Sequence, residues 1–234
     1  MKRFYKAVTV AVESSGYRVM LDGRGLRTVS GQAQIVPSAQ LAEALAAEWS
    51  GQGEEIDPAR FVLRDLADYA IDVVTPGKAA VVDELVPYAE TDTLCYRAEP
   101  DEALGIRQRA VWDPMLAAAE ARWDVRFVRV AGIMHRPQPE ETLARLREDL
   151  AARDGFTLAA VKNTASLAAS LVLGLMAIEP GADIDALWDA ANLEEDWQAE
   201  LWGKDAEAQD RRARRHAAFA AAAQFAVLAR GSDC

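Results

Sequence analysis

Apolar and polar residues alternate in the first part of the chain, and this alternation predicts β-strands. Three β-rich runs within residues 3–36 read FYKAVTVAVE, GYRVMLDGRGLRTV and QAQIVP, and serine and glycine residues separate them. The Asp22-Gly23 pair inside the second run favours a tighter turn. We therefore expect a small antiparallel sheet of about three or four strands.

Helical spacing of apolar residues dominates the remainder of the chain. The helical patterns cover residues 38–49, 58–74, 78–89, 140–153, 157–178, 183–202 and 205–230. Ser38 and Asp57 stand where a side chain caps the first helical turn, and Gly203 closes one of the patterns. Residues 78–89 also fit a mixture of helix and strand.

The middle of the chain mixes the two patterns. Residues 91–97 and 125–130 alternate as strands do, and a helical pattern lies between them. This helical pattern contains Asp113 and Pro114. We expect the helix to stop there and restart, with Asp113 as the cap, because proline disfavours a helix interior and suits the first helical position.

These patterns predict an α+β fold. We expect a small N-terminal antiparallel β-containing domain with helices, residues 1–90, followed by a predominantly helical domain, residues 91–234. The length of 234 residues is enough for one large domain or two small ones with a sizeable core. A content of 51% hydrophobic and 27% charged residues is typical of a globular protein.

Charge and cysteine content exclude several classes of partner. The net charge of −11 argues against nucleic acid and against an anionic membrane, because both need clustered positive charge. The uncharged run at 163–178 is shorter than the roughly 20 residues of a membrane span, so we expect no membrane insertion. Cys95 and Cys234 make neither a disulfide framework nor a zinc site, which fits a reducing compartment.

Recognisable catalytic motifs are missing. The sequence has no phosphate-binding loop, no dinucleotide fingerprint and no nucleophile elbow, so we expect no nucleotide and no cofactor. His135 and His216 have no neighbours at metal-ligand spacing, and Cys95 lies in an apolar strand pattern without a nearby histidine. The sequence therefore offers little for catalysis, and we expect no metal site.

The helical pattern at 183–201 carries charged groups within its apolar face. On a helical wheel that face contains Leu187, Ala190, Ala191, Leu193, Trp197, Leu201 and Trp202. The opposite face contains Asp185, Asp189, Asn192, Asp196 and Glu200. Glu194 and Gln198 lie side by side inside the apolar face, and Glu195 lies at its edge beside Trp202. Because an unpaired carboxylate there is costly, Glu194 either meets an arginine of the same chain or is reserved for a partner protein.

Six tryptophans lie in or at the ends of the predicted helices. They are Trp49, Trp112, Trp123, Trp188, Trp197 and Trp202. We expect most of them to be core residues, and we assign a structural role to Trp49 and Trp112. Trp197 and Trp202 flank the unusual carboxylates, and tryptophan is enriched at binding hot spots.

Six short segments in a fixed order match one family. They read RFYK at 3–6, LDGRGLRT at 21–28, AAEW at 46–49, YAETDTLCYRA at 88–98, RQRAVWDPML at 107–116 and LEEDWQAELWGKDAEA at 193–208. Through them the chain resembles the F1-ATPase assembly chaperones specific for the alpha subunit, which are known in mitochondria and alpha-proteobacteria. The resemblance extends over nearly the whole chain and implies the same division into a small β-containing domain and a helical domain.

The resemblance also implies a function without catalysis. Such a chaperone holds the unassembled alpha subunit of F1 and covers the surface that the beta subunit later takes, without using a nucleotide. The family pattern E-x-x-Q-x-x-x-W-G contains an important acidic residue and corresponds here to Glu195, Gln198, Trp202 and Gly203. The helical wheel favours Glu194 as the critical carboxylate, and the pattern favours Glu195. The absence of a leading transit segment points to the bacterial cytoplasm, whereas other members are in the mitochondrial matrix.

Two other functions stay open on the sequence. A hydrolase with Glu194 or Glu195 as general base would need a closed pocket around that pair and a strongly perturbed pKa. A stable structural subunit of a larger complex would keep its partner permanently. An open groove or a flat patch at these residues favours the chaperone.

Overall fold

The computed structural model describes residues 1–132, 134–203 and 205–231. Cys234 lies outside the described residues. Strands are concentrated near the N-terminus of the described chain, and helices make up most of the remainder. The predicted α+β fold is therefore confirmed. The division at residue 90 stays a prediction.

The N-terminal sheet has four strands, with the second strand at its centre. These strands are β1 (Val8–Glu13), β2 (Gly16–Leu21), β3 (Arg24–Gly25) and β4 (Ile35–Val36), and β2 pairs antiparallel with each of the others. Val19 and Leu21 of β2 are buried, because the alternation along the strand turns them toward the first helix. A second, parallel pair joins β5 (Tyr96–Arg97) to β6 (Val130–Ala131).

Eleven α-helices lie within the described residues. They are α1 (Ala39–Ser50), α2 (Val62–Tyr69), α3 (Lys78–Leu85), α4 (Pro87–Glu90), α5 (Ala103–Trp123), α6 (Glu140–Ala152), α7 (Gly155–Ala168), α8 (Leu171–Ala177), α9 (Ile184–Ala191), α10 (Leu193–Trp202) and α11 (Ala206–Arg230). A 3₁₀ turn precedes α2, and a π-helical turn follows it. Ser38 caps α1 as expected, since its hydroxyl accepts a hydrogen bond from the Leu41 N–H.

One cluster of buried residues runs through the described chain from Tyr5 to Ala229. Trp49 lies in this cluster between Tyr5 and Phe61, with ring centroids at 5.5 and 4.4 Å. Trp112 is fully buried, and its indole N–H donates to the Ala190 carbonyl at 2.9 Å. That bond ties α5 to α9, the helix that precedes the candidate site.

The expected restart at Pro114 is wrong, because α5 continues through it as one helix. Trp112 and Leu116, on either side of the proline, are both fully buried, so packing holds the helix together across the missing N–H. Asp113 does not cap a helix. Its carboxylate accepts from Arg97 at 2.6 Å, at the end of β5.

The strands expected at 91–97 and 125–130 are shorter than predicted, since only Tyr96–Arg97 and Val130–Ala131 pair. The buried Asp92 side chain accepts from the Leu94 and Val172 N–H groups, which holds the segment before Tyr96 in a 3₁₀ turn. Gln138 bonds both the N–H and the carbonyl of Val128 and so replaces a neighbouring strand.

The helix predicted at 58–74 is divided into a 3₁₀ turn, α2 and a π-helical turn, and two further helices predicted as continuous are broken. The pattern at 157–178 divides at Ala169, which has a left-handed φ of 47°, and Ser170 then caps α8. The pattern at 183–202 divides at Asn192, whose side-chain amide donates to the Trp188 carbonyl at 2.8 Å. Asn192 is therefore buried, although the wheel placed it on the polar face.

Candidate functional site

Helix α10 contains the segment that the sequence singled out, and polar contacts hold most of it in place. Leu193 is the one residue of α10 that is buried. The wheel assigned Leu201 and Trp202 to the apolar face of the helix, and their exposed fractions are 58% and 78%. The break at Asn192 explains this outcome, because α9 completes its packing on the core and α10 starts anew beside it.

Glu194 meets a glutamine rather than an arginine. Gln108 of α5 is fully buried, and its amide Nε2 donates to Glu194 Oε1 at 2.6 Å. The side-chain oxygen Oε1 of Gln108 accepts from the Ala98 N–H at 2.8 Å. Partial burial raises the pKa of the Glu194 carboxyl, and the hydrogen bond from Gln108 opposes that rise. Glu194 thus fixes the start of α10 to α5.

Arg107, next to Gln108 on α5, fixes the other end of α10. Its guanidinium donates two hydrogen bonds to the Glu200 carboxylate, at 2.6 and 2.9 Å. The same guanidinium lies 5.7 Å from the centre of the Trp197 ring. Glu200 and Trp197 are three residues apart on α10 and share the face turned toward α5.

Helix α11 holds α10 from a third direction. Arg212 pairs with Asp196 of α10 and with Asp189 of α9, the latter at 3.2 Å. Neighbouring Arg215 donates to the Leu167 carbonyl at 2.8 Å and lies 5.6 Å from the centre of the Trp188 ring.

The outer face of α10 consists of Glu195, Gln198 and Trp202. These residues are three and four positions apart, so they lie in one row along the helix. All three are exposed, and all three line the cleft between α10 and α11. Within the part of the chain that the structure describes, none of their side chains has a hydrogen bond, an ion pair or a ring contact. We call these three residues the outer row.

Gly203 ends α10 with φ of 93° and ψ of 167°, a backbone conformation that is open almost only to glycine. The Gly203 N–H donates to the Ala199 carbonyl at 3.0 Å, so the helix closes there and the chain turns toward α11. The two helices then form the walls of an open cleft of about 900 Å³.

Glu194 and Glu195 do not form a catalytic pair. The Glu194 carboxylate contacts α5, whereas Glu195 lines the cleft on the other side of α10. Within the described ranges, no group of three or more His, Cys, Asp or Glu side chains is arranged to hold a metal ion. A search of the same ranges for a helix long and apolar enough to cross a membrane finds none.

The other reactive side chains lie elsewhere. His135 accepts or donates a hydrogen bond at 2.8 Å with the Tyr96 hydroxyl, and His216 Nε2 lies 3.0 Å from an Asp185 oxygen. Cys95 is buried in the 3₁₀ turn before β5, and burial raises the pKa of its thiol.

Sequence reasoning missed the residues that position α10. Gln108 and Arg107 are 86 and 93 positions away from the glutamates that they bind, and no periodicity reveals such pairs. Both residues lie in the segment RQRAVWDPML, which carries the family resemblance, and that resemblance was the one signal in the sequence that could have indicated them.

Comparison with known proteins finds similarity along nearly the whole chain. A family profile described as ATP12 chaperone protein matches residues 2–120. The mitochondrial protein atp12 of Schizosaccharomyces pombe is 25% identical over 214 residues, which cover 86% of this chain and 74% of that protein.

Solved structures show the same similarity in three dimensions. The crystal structure of Atp12 from Paracoccus denitrificans has a TM-score of 0.93 at 36% identity and covers 97% of this chain and 98% of its own. The Atu1473 protein of Agrobacterium tumefaciens has a TM-score of 0.91 at 37% identity, with coverages of 97% and 85%.

Proposed function

The chain belongs to the ATP12 chaperone family, and from this premise we propose that it binds the unassembled alpha subunit of F1-ATPase and promotes assembly of the F1 sector. Membership in the family makes it a chaperone of ATP synthase assembly and not an enzyme. Its partner is accordingly a subunit of that complex. The choice of the alpha subunit is the step that we propose.

The observation that carries the proposal is the exposed outer row. A tryptophan that is 78% exposed and a carboxylate without a partner in the described chain stand side by side on one cleft wall. Contiguous exposed apolar surface marks interaction sites, and tryptophan is enriched among the residues that dominate binding energy. Leu201 extends the exposed apolar surface next to Trp202.

We assign different tasks to the site residues of α10. Glu195, Gln198 and Trp202 contact the client subunit, and Glu195 is the critical carboxylate. Glu194 and Trp197 hold α10 against α5 through Gln108 and Arg107. Gly203 sets the turn into α11 and so the width of the cleft.

The chaperone first covers an exposed surface of the client subunit and is then displaced by competition. Isolated subunits of a hetero-oligomer expose apolar interface and tend to aggregate. A protein with a net charge of −11 can cover such a patch and resist self-association through charge repulsion. The beta subunit then displaces the chaperone, so the release needs no nucleotide. We place this process in the bacterial cytoplasm, in keeping with the relatives from Paracoccus and Agrobacterium.

Gel filtration of the purified chain with isolated alpha subunit, with isolated beta subunit and with intact F1 tests the proposal. We expect a complex with the alpha subunit alone. Equal elution with intact F1 would contradict the chaperone cycle and would favour a stable structural subunit. Mass spectrometry of purified ATP synthase is the second control, since a subunit would be present there and a chaperone would be absent.

A further inference from the structure

The inner face of α10 already binds a guanidinium group. Arg107 donates two hydrogen bonds to Glu200, at 2.6 and 2.9 Å, and its guanidinium lies over Trp197. A carboxylate and an indole ring, less than one helical turn apart, therefore make an arginine site on this helix. The planar fork of arginine suits both contacts, because it bonds a carboxylate with two N–H groups and stacks on an aromatic face.

The outer row presents the same chemical groups on the opposite side of the helix. Glu195 supplies the carboxylate, Trp202 supplies the indole ring, and Gln198 lies between them with an amide oxygen that can accept a further hydrogen bond. Glu195 and Trp202 are seven positions apart, about two helical turns, and Gln198 lies between them, whereas Trp197 and Glu200 on the inner face are three positions apart. No arginine among the described residues occupies the outer row.

The arginines that line the cleft, among the residues that the structure describes, each have a contact other than Glu195. Arg212 pairs with Asp189 and Asp196, and Arg107 pairs with Glu200. Arg211 lies 3.7 Å from Glu207 on its own helix. Among the described residues that line the cleft, six are acidic and four are arginines, and no described residue pairs with the Glu195 carboxylate. The cleft is thus complementary to a cation near Glu195.

We propose that the outer row is a receptor for one exposed arginine of the client subunit. The guanidinium bonds the Glu195 carboxylate and the Gln198 amide oxygen and packs against the Trp202 ring, as Arg107 does with its own partners on the inner face. Arginine fits better than lysine, whose ammonium is a strongly hydrated point charge without a planar face. This inference rests on the proposed function, because the client is the alpha subunit.

Affinity measurements against isolated alpha subunit test the contribution of each group. Glu195→Gln is expected to weaken binding about tenfold and to flatten the dependence of Kd on salt, since one ion pair is lost. Trp202→Ala is expected to weaken binding about tenfold while leaving the salt dependence unchanged. The control is Glu43→Gln, which changes an exposed carboxylate of α1 that likewise has no partner among the described residues. Equal affinity and equal salt dependence for Glu195→Gln and Glu43→Gln would overturn the inference.

Chemical protection identifies the group that the outer row receives. Phenylglyoxal modifies exposed arginines of the alpha subunit, and mass spectrometry locates them with and without the chaperone. We expect the wild-type chain to protect at least one arginine, and Glu195→Gln at saturating concentration to leave that arginine reactive. A complex that forms normally but protects no arginine would overturn this inference alone. If wild-type chain and alpha subunit form no complex, the proposed function fails, and this inference fails with it.

Discussion

Gln108 Nε2 donates to Glu194 Oε1 at 2.6 Å, so a fully buried amide reaches a carboxylate on an exposed helix. The other end of that amide accepts from the Ala98 N–H, which links the chain after β5 to the start of α10. Because the charge of Glu194 is partly desolvated, its pKa is raised. This bond positions α10, and of the two adjacent glutamates only Glu195 lines the cleft.

The first prediction concerns the hydrogen bond between Gln108 and Glu194. Glu194→Gln keeps an oxygen that accepts from Gln108 and removes a partly desolvated charge, so stability should be unchanged or slightly higher. Gln108→Ala should cost about 1–3 kcal/mol, because the Ala98 N–H loses its partner inside the protein. Urea unfolding of both variants measures these changes. A Glu194→Gln variant as unstable as Gln108→Ala would show that the charge itself holds the helix.

The second prediction compares two tryptophans of opposite exposure. Trp49 is buried between Tyr5 and Phe61, and its carbonyl accepts from the Tyr5 hydroxyl at 2.6 Å. Trp49→Ala should therefore lower the free energy of unfolding by about 3–5 kcal/mol. Trp202→Ala removes the same side chain from an exposed position and should change stability by less than about 0.5 kcal/mol. Thermal melts of the two variants decide the matter, and a similar loss in both would mean that Trp202 is packed in solution.

Local sequence patterns predicted the fold class and the position of the candidate site, but they did not predict the contacts between distant segments. Alternation and helical spacing are local properties, so the sheet near the N-terminus and the long helices were predictable. Pro114 and Asn192 show where local rules fail. Burial of Trp112 and Leu116 carries α5 through a proline, and α9 and α10 divide at Asn192, whose side-chain amide bonds the Trp188 carbonyl.

The candidate site shows the same limit. The row of Glu195, Gln198 and Trp202 could be found because its members are close in sequence. The contacts by which α5 and α11 hold α10 could not be found in this way, since the pairing of Arg212 with Asp196 depends on how the helices pack. For the same reason the wheel selected Glu194, whose apolar neighbours in sequence do not reveal the buried amide of Gln108.

The third prediction concerns pH. Asp92 is fully buried, and burial raises the pKa of its carboxyl to about 6 from a usual value of 3.8, although backbone N–H groups of Leu94 and Val172 oppose the rise. The folded state therefore takes up a proton at higher pH than the unfolded state. The resulting stabilisation is complete below the unfolded pKa and is lost as the pH rises through about 6.

Asp92→Asn removes this titration and gives the measurement. The free energy of unfolding of wild type minus that of Asp92→Asn should be about 1 kcal/mol larger at pH 5 than at pH 7. Urea unfolding at both pH values measures the difference, and all other titrating groups cancel in the subtraction. An equal difference at pH 5 and at pH 7 would mean that the N–H groups offset burial and that the pKa of Asp92 is not raised in the folded state.

The fourth prediction tests the turn between α10 and α11. Gly203 has φ of 93° and ψ of 167°, where a side chain is strained by about 1–3 kcal/mol, so Gly203→Ala should lower stability or change the turn. The open space around Gly203 means that this strain comes from the backbone and not from a clash. Relief of the strain moves α11 relative to the outer row, and binding to the alpha subunit should weaken about fivefold for each 1 kcal/mol that restoring the cleft requires. Gly31→Ala is the matched control. Gly31 also has a positive φ, of 87°, with open space around it, and it lies in the N-terminal turn after Thr28.

Both variants should lose stability in urea unfolding, and only Gly203→Ala should lose affinity in titrations with isolated alpha subunit. Equal affinity loss in the two variants would assign the effect to general destabilisation. No affinity loss in either variant would show that binding of the alpha subunit does not depend on the geometry of the cleft.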